Sequence, residues 1–235
     1  MKKYIPNTLT LLNLLCGSIA VIFVVNNNFV ATSLFVFLGI FFDFFDGFAA
    51  RKLHVQSALG VQLDSLADMV TSGLVPGLIV YKLFEMSDLS WDELNILPFL
   101  GLAITLASAY RLAKFNIDED QQAYFKGLPT PANTLLIISL PLILEFQNND
   151  AINTIILNKW FLIGVTLLSS WLLNSNIKLF ALKFKDYSFK TNSTRYIFIL
   201  LSAVLIIVLH FAAIPIIILL YIIMSVLDNI TSKSM

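Results

Sequence analysis

The sequence is poor in the residues on which soluble and disulfide-linked proteins depend. Only 13% of its 235 residues are charged, whereas a soluble domain carries about 25%. A single cysteine, Cys16, excludes an intrachain disulfide framework and a zinc site made of cysteines. With nine glycines and seven prolines, the chain is neither collagen-like nor of low complexity. The formal net charge of zero gives no sign of a nucleic-acid partner, and we expect none.

Long apolar runs take the place of the missing polar residues. Hydrophobic residues make up 58% of the chain, and the mean hydropathy of +0.84 is typical of a polytopic membrane protein. A membrane-spanning helix needs roughly 20 mostly apolar residues. The segments that meet or nearly meet this length are about 7–26, 29–51, 60–83, 95–115, 130–146, 154–174, 196–211 and 213–229. We therefore predict an all-α membrane protein with about eight transmembrane helices.

The chain has no internal repeat and no low-complexity linker, so we predict a single domain over residues 1–235. The first six helices would form the core, and the last two a C-terminal hairpin over about 196–229. The first segment is expected to be a retained helix. Its apolar run is too long for a signal peptide, and no clean cleavage site follows it.

The distribution of lysine and arginine predicts the orientation of these segments. With a cytoplasmic N-terminus, 13 of the 15 basic residues fall in cytoplasmic stretches, and only Lys82 and Lys159 fall in outer loops. An even number of spans then places both termini in the cytoplasm. We predict a multi-pass protein of the cell membrane in this orientation.

The second and third apolar segments carry four aspartates: Asp43, Asp46, Asp64 and Asp68. A charged side chain at the centre of a membrane helix costs roughly 2.5–3.5 kcal/mol on insertion scales, so four carboxylates need cationic compensation. The nearby Arg51 and Lys52 cannot balance four negative charges, and one or two divalent cations are the simplest solution. Oxygen ligands without histidine or cysteine favour Mg²⁺ or Mn²⁺ over zinc.

The spacing of the aspartates predicts that they face one another across two antiparallel helices. A turn through residues 52–59 brings Asp43 level with Asp68, because a helix rises about 1.5 Å per residue. The same turn brings Asp46 roughly level with Asp64. The residues that share their helix faces are Gly47, Ala50, Arg51 and Gly60. The small residues leave room for a ligand against the backbone, so we predict a metal cluster that opens toward the cytoplasm.

These positions form one continuous motif, Asp43-x2-Asp46-Gly47-x2-Ala50-Arg51-x8-Gly60-x3-Asp64-x3-Asp68. It resembles the signature of the CDP-alcohol phosphatidyltransferase family without a departure. The resemblance implies a membrane-embedded homodimer that transfers a phosphatidyl group from CDP-diacylglycerol to an alcohol and releases CMP. It also implies that the four aspartates bind two divalent cations and that Asp68 is the catalytic base that takes the proton of the alcohol.

The resemblance also implies a nucleotide site that begins in the first helix. Asn7, Thr10 and Asn13 are similar to an Asn-x2-Thr-x2-Arg pattern that opens the family, with Asn13 in the place of the arginine. The alternative is that Asn7 caps the helix and Thr10 bonds to its own backbone. The residues that the resemblance assigns to nucleotide binding are Asn7, Thr10, Asp43, Gly47, Ala50, Arg51, Gly60 and Asp64.

Two further stretches, Tyr110–Asn116 and Lys126–Ala132, resemble the phosphatidylserine synthase branch of the family. With them, the resemblance covers about residues 5–190, which we take as the catalytic core. Arg111 and Lys126 are candidates for binding the serine carboxylate or a phosphate. Alternatively, both are positively charged anchors at the cytoplasmic side.

We therefore expect an enzyme that uses CDP-diacylglycerol and L-serine, together with Mn²⁺ or Mg²⁺, among membrane lipids. Transfer to glycerol phosphate, an inositol alcohol or choline is an open alternative. A divalent-cation transporter is another, because intramembrane carboxylates also line ion pathways. The transporter predicts acids spread across the bilayer, whereas these four cluster near its cytoplasmic side. A non-catalytic scaffold would leave four buried charges unexplained.

Overall fold

The computed structural model describes residues 4–87, 96–117, 125–147, 149–180 and 189–233. Its helices are α1 (Tyr4–Val25), α2 (Phe29–Lys52), α3 (Ala58–Asp68), α4 (Val75–Met86), α5 (Ala103–Ile117), α6 (Thr130–Phe146), α7 (Asp150–Ile156), α8 (Lys159–Asn174), α9 (Phe189–Leu209) and α10 (Ala213–Lys233). A π-helix, Met69–Leu74, joins α3 to α4, and a 3₁₀ turn, Leu97–Leu102, precedes α5. The strands β1 (Phe125–Lys126) and β2 (Lys178–Leu179) form one short antiparallel pair. The prediction of an all-α membrane protein is confirmed.

Every predicted apolar segment contains helix, but the number of spans is still a prediction. Among the described residues, four stretches are long and apolar enough to cross a membrane: Tyr4–Val25, Phe29–Lys52, Ala58–Met86 and Asn192–Ile230. The last of these includes most of α9 and most of α10. The predicted segment 154–174 is two helices, α7 and α8, bent by 59°, which would be a fifth span if they cross together.

The C-terminal helices α9 and α10 form the antiparallel hairpin that the sequence predicted. Thr194 Oγ1 near the start of α9 donates to Asp228 Oδ1 near the end of α10 at 3.2 Å. Two hydrogen bonds join the hairpin to the rest of the fold, one at its turn and one from the middle of α10. Gln147 Nε2 donates to Leu209 O at 2.6 Å, and Tyr221 OH donates to Phe180 O at 2.8 Å.

The apolar core lies in the half of the bundle that is remote from the aspartates. Helix α4 is its centre, with Ile79, Leu83 and Phe84 fully buried. They belong to one cluster with Ile137 of α6 and Leu162 of α8. This packing fixes α4 against α6 and α8 and so fixes the direction of α3, which carries two of the aspartates.

Close contact between α1, α2 and the π-helix depends on two glycines that face Thr71. A methyl group added at Gly17 would overlap Thr71 Oγ1, and one added at Gly39 would lie 2.7 Å from Thr71 Cγ2. Thr71 is fully buried between these helices. Helices α1 and α2 therefore meet the π-helix at Thr71, three residues after Asp68.

The π-helix begins directly after Asp68, and hydroxyl groups from neighbouring helices bond its carbonyls. Thr134 Oγ1 of α6 donates to Ser72 O, and Thr105 Oγ1 of α5 donates to Gly73 O, both at 3.1 Å. These bonds stabilise the π-helix next to the aspartates. Such helices are rare and often mark functional sites.

Candidate active site

Asp43 and Asp46 lie in the C-terminal half of α2, and Asp64 and Asp68 lie in the C-terminal half of α3. One oxygen from each of Asp43, Asp46 and Asp64 lies within 4.8 Å of the others, a compact group that could hold a metal ion. Asp68 lies outside this triad but beside Asp43, and the Asp43 carboxyl group contacts those of both Asp64 and Asp68. The side chains of Asp46 and Asp68 are buried. The helices thus bring all four carboxyl groups together.

Divalent cations fit this cluster on two grounds. In the described part of the chain, none of the four carboxylates lies within 4 Å of a basic nitrogen, so their charge is not compensated by an ion pair. The donor atoms are all carboxylate oxygens, which are the ligands that Mg²⁺ and Mn²⁺ prefer. Burial of several uncompensated carboxylates is costly, and a bound cation offsets that cost.

Helix α1 contacts the cluster through two side chains on its inner face. Thr10 Oγ1 lies 2.5 Å from Asp46 Oδ2 and 3.1 Å from the carbonyl oxygen of Pro6. The bond from Thr10 to its own helix backbone is therefore present, together with a contact to Asp46, and nucleotide binding by Thr10 stays a prediction. Asn13 Nδ2 donates to Asp68 Oδ1 at 3.1 Å, and Asn13 is fully buried.

The contact between Asn13 and Asp68 was not predicted from the sequence. Asn13 had been treated only as a departure from the family's arginine. A signal was present, because Thr10, Asn13 and Gly17 follow at i, i+3 and i+7, on one helix face. Thr10 contacts Asp46, Asn13 contacts Asp68, and Gly17 packs against Thr71.

A cavity of about 190 Å³ opens beside the aspartates, between the ends of α1, α2 and α3. Seven of the eight residues assigned to the nucleotide line it: Asn7, Thr10, Gly47, Ala50, Arg51, Gly60 and Asp64. Asp46 also lines it, whereas Asp43 is not among its lining residues. Ser57 caps α3 by accepting from Gly60 N at 3.1 Å, and a methyl group at Gly60 would lie 3.3 Å from Ser57 Oγ. The absence of a side chain at residue 60 keeps this wall of the cavity open.

Arg111 and Lys126 line a separate pocket, which shares no residue with the carboxylate cavity. Arg111 is buried, and its Nη1 donates to two backbone carbonyls, Lys126 O at 2.8 Å and Leu173 O at 2.5 Å. Leu173 lies at the C-terminal end of α8, where a cation is favoured by the helix dipole. Arg111 therefore links the β1 turn to α8, a structural contact that the sequence did not predict.

Two comparisons support the resemblance. The family described as CDP-alcohol phosphatidyltransferase matches residues 3–172. A CDP-diacylglycerol–serine O-phosphatidyltransferase of Bacillus subtilis is 37% identical over 59% of this chain and 75% of its own length. A protein of the same name from Methanocaldococcus jannaschii is 33% identical over 70% of this chain and 71% of its own length.

A third relative has a different name. The archaetidylserine synthase of Methanothermobacter thermautotrophicus is 29% identical over 57% of this chain and 56% of its own length. The family match covers the helices that carry the aspartates, the cavity and Arg111. From this match and the gathered aspartates of its motif, we conclude that the chain belongs to the CDP-alcohol phosphatidyltransferase family.

Proposed function

We propose that this protein transfers a phosphatidyl group from CDP-diacylglycerol to the hydroxyl group of L-serine, giving phosphatidylserine and CMP. The observation that carries the proposal is the carboxylate triad of Asp43, Asp46 and Asp64, of which Asp46 and Asp64 line a cavity between α1, α2 and α3. Relatives whose names specify serine transfer support the choice of alcohol. The family is generally dependent on divalent metal, which agrees with the chemistry of the donor atoms.

In this proposal, the four aspartates hold two divalent cations, Mg²⁺ or Mn²⁺. When bound, the cations supply positive charge for the attacking and leaving oxygens of phosphoryl transfer. Asp68 is the base that accepts the proton of the serine hydroxyl. Its Oδ1 accepts a hydrogen bond from Asn13.

The nucleotide portion of CDP-diacylglycerol would occupy the cavity between the ends of α1, α2 and α3. Asn7 and Arg51 supply polar and cationic groups at its wall, and Gly47 and Gly60 keep backbone accessible. The acyl chains would remain in the lipid beside the helices. In this arrangement, the protein lies in the cell membrane and its cavity opens at the cytoplasmic face. Both termini lie on that side. By its family, we expect the enzyme to act as a homodimer.

Arg111 and Lys126 are proposed to receive the serine carboxylate or a phosphate at the mouth of their separate pocket, whose volume of about 10 Å³ is too small to enclose either group. Lys126→Ala is expected to raise the serine KM about tenfold with little change in kcat, because loss of a charge-assisted contact made in the ground state appears in KM. Arg111→Ala should raise the serine KM and also lower the melting temperature, since two backbone carbonyls lose their donor. Steady-state kinetics and thermal unfolding measure the two effects.

The matched control is Lys82→Ala, which removes a lysine that pairs with Glu85 on α4 at 2.8 Å, away from this pocket. It should leave both the serine KM and kcat unchanged. An unchanged serine KM in both Arg111→Ala and Lys126→Ala would contradict their assignment to the acceptor and leave them as structural residues.

The C-terminal hairpin is expected to support stability or assembly and not chemistry. None of its residues lines the carboxylate cavity, although Tyr221 and Asn229 bond the backbone near β2. Removal of residues 196–235 should therefore lower the yield of folded protein or its dimer content more than the turnover per folded molecule. Size-exclusion chromatography with an activity assay separates the two. Loss of nucleotide binding in a well-folded truncation would contradict this.

The experiment that tests the proposed function is product analysis with labelled CDP-diacylglycerol and a panel of alcohols. Serine should be used in preference, giving labelled phosphatidylserine and an equal amount of CMP. Preference for glycerol phosphate, an inositol alcohol or choline would refute serine as the acceptor but retain phosphatidyl transfer. No product with any alcohol would refute the whole proposal.

A further inference from the structure

We propose that Asn13 is a positioning residue that fixes the carboxylate of Asp68 for the reaction. The inference rests on the proposed function, because it needs Asp68 to take part in phosphatidyl transfer. It adds a residue that neither the aspartate motif nor the comparisons assign. Its evidence is a buried hydrogen bond between α1 and α3 and a second hydrogen bond that holds the backbone of Asn13.

The contact joins residues that are 55 positions apart in the chain. Asn13 Nδ2 donates to Asp68 Oδ1 at 3.1 Å, and both side chains are buried. The amide is a neutral donor. It therefore orients one carboxylate oxygen without adding a positive charge that would compete with a divalent cation for the aspartates.

The other end of the Asn13 amide has no comparable partner. Among the described residues, none donates a hydrogen bond to Asn13 Oδ1, although this atom is buried. An unsatisfied buried acceptor lowers stability, and the asparagine carries that cost at this position. The hydrogen bond that Asn13 donates to Asp68 explains an asparagine at this position.

The backbone of Asn13 is fixed by the segment that follows Asp68. Thr71 Oγ1 of the π-helix donates to Asn13 O at 3.2 Å. Thr71 is itself enclosed between Gly17 and Gly39, where a larger residue would not fit. The π-helix thus holds Asn13 by its backbone, while the side chain of Asn13 holds Asp68. The two contacts form a closed link between α1 and α3.

The main test is Asn13→Leu, which removes the donor and the unsatisfied acceptor together while keeping the size of the side chain. We expect kcat to fall about 10- to 100-fold, the range found when partners of metal ligands are removed. The KM for CDP-diacylglycerol should change little, because Asn13 does not line the cavity. The melting temperature in the presence of a chelator should change little, because loss of the donor to Asp68 offsets removal of the unsatisfied acceptor.

A merely structural residue would give the reverse result, with a lower melting temperature and an unchanged kcat per folded molecule. That outcome, or an unchanged kcat together with an unchanged melting temperature, would overturn the inference. The control is Thr166→Val, which removes a buried hydroxyl group on α8 that bonds only its own helix at Leu162 O. It should leave kcat unchanged.

A second variant keeps the test decisive if Asn13→Leu fails to fold. Thr71→Val removes one hydroxyl group and releases the Asn13 carbonyl without touching Asp68. It should lower kcat in the same direction by a smaller factor, and a normal kcat would contradict the inference.

The alcohol preferred by the unmodified enzyme is used for all variants. If serine is not that alcohol, the proposed acceptor fails while the role of Asn13 is still measured. If the unmodified enzyme is active and both Asn13→Leu and Thr71→Val match it, only the inference on Asn13 fails.

Discussion

Replacement of Asp68 by asparagine is expected to lower kcat by about 10²- to 10⁴-fold, the usual contribution of a general base. The variant keeps the shape of the side chain but removes the proton acceptor and one negative charge from the cluster. Asn13 Nδ2 can still donate to the remaining carbonyl oxygen, so the contact between α1 and α3 is retained. CDP-diacylglycerol should still bind, because Asp68 does not line the cavity. Single-turnover kinetics and equilibrium binding of CDP-diacylglycerol measure the two properties.

The control for this variant is Asp228→Asn near the end of α10, where an aspartate bonds to Thr194 in the hairpin. Asp228→Asn should have the same kcat and the same affinity for CDP-diacylglycerol as the unmodified protein. A near-normal rate for Asp68→Asn would remove Asp68 as the base. Loss of CDP-diacylglycerol binding in a folded Asp68→Asn protein would show instead that Asp68 holds the substrate.

Asp43→Asn and Asp64→Asn are expected to abolish turnover and to weaken binding of divalent cations, with the protein still inserted in the membrane. Each change removes one charge from a triad whose ligand oxygens lie within 4.8 Å of one another. Asp64 also lines the cavity, so its variant should weaken CDP-diacylglycerol binding more than the Asp43 variant does. Assays of turnover and of binding of labelled CDP-diacylglycerol compare the two variants with the unmodified protein and with each other.

Gln62→Ala is the control on the same helix, since Gln62 is exposed and does not line the cavity. It should leave turnover and cation binding unchanged. Full activity of the unmodified protein after thorough chelation would contradict the metal requirement on which both predictions depend.

The positions of most helices could be predicted from apolar segments alone, because a spanning helix is defined by its length and composition. The bend between α7 and α8 could not, since both helices are apolar and one continuous run was expected there. Its local signals are two asparagines that begin the helices. Asn149 Oδ1 accepts from Ile152 N, and Asn158 Oδ1 accepts from Trp160 N. The π-helix after Asp68 was not predicted either, because no residue pattern distinguishes it from an α-helix.

The aspartate cluster could be predicted because its spacing is local to one helical hairpin. The partners of the aspartates depend on how α1 packs against that hairpin, which the spacing within α2 and α3 does not determine. Thr10 was assigned to the site by resemblance, and Asn13 shares its helix face, but the contact of Asn13 with Asp68 depends on the packing of α1. Similarly, Arg111 was interpreted from its charge, whereas its contacts with two carbonyls depend on the position of α8.

The central claim is that the four aspartates hold two divalent cations on which phosphatidyl transfer depends. The most direct measurement is a titration of the purified, chelator-treated protein with Mn²⁺, followed by electron paramagnetic resonance. We predict two Mn²⁺ ions bound per chain, displaced by Mg²⁺, with activity restored as they bind and with fewer ions bound by Asp43→Asn. Phosphatidyl transfer at full rate without bound Mn²⁺ or Mg²⁺, or the same number of ions bound by Asp43→Asn, would contradict it.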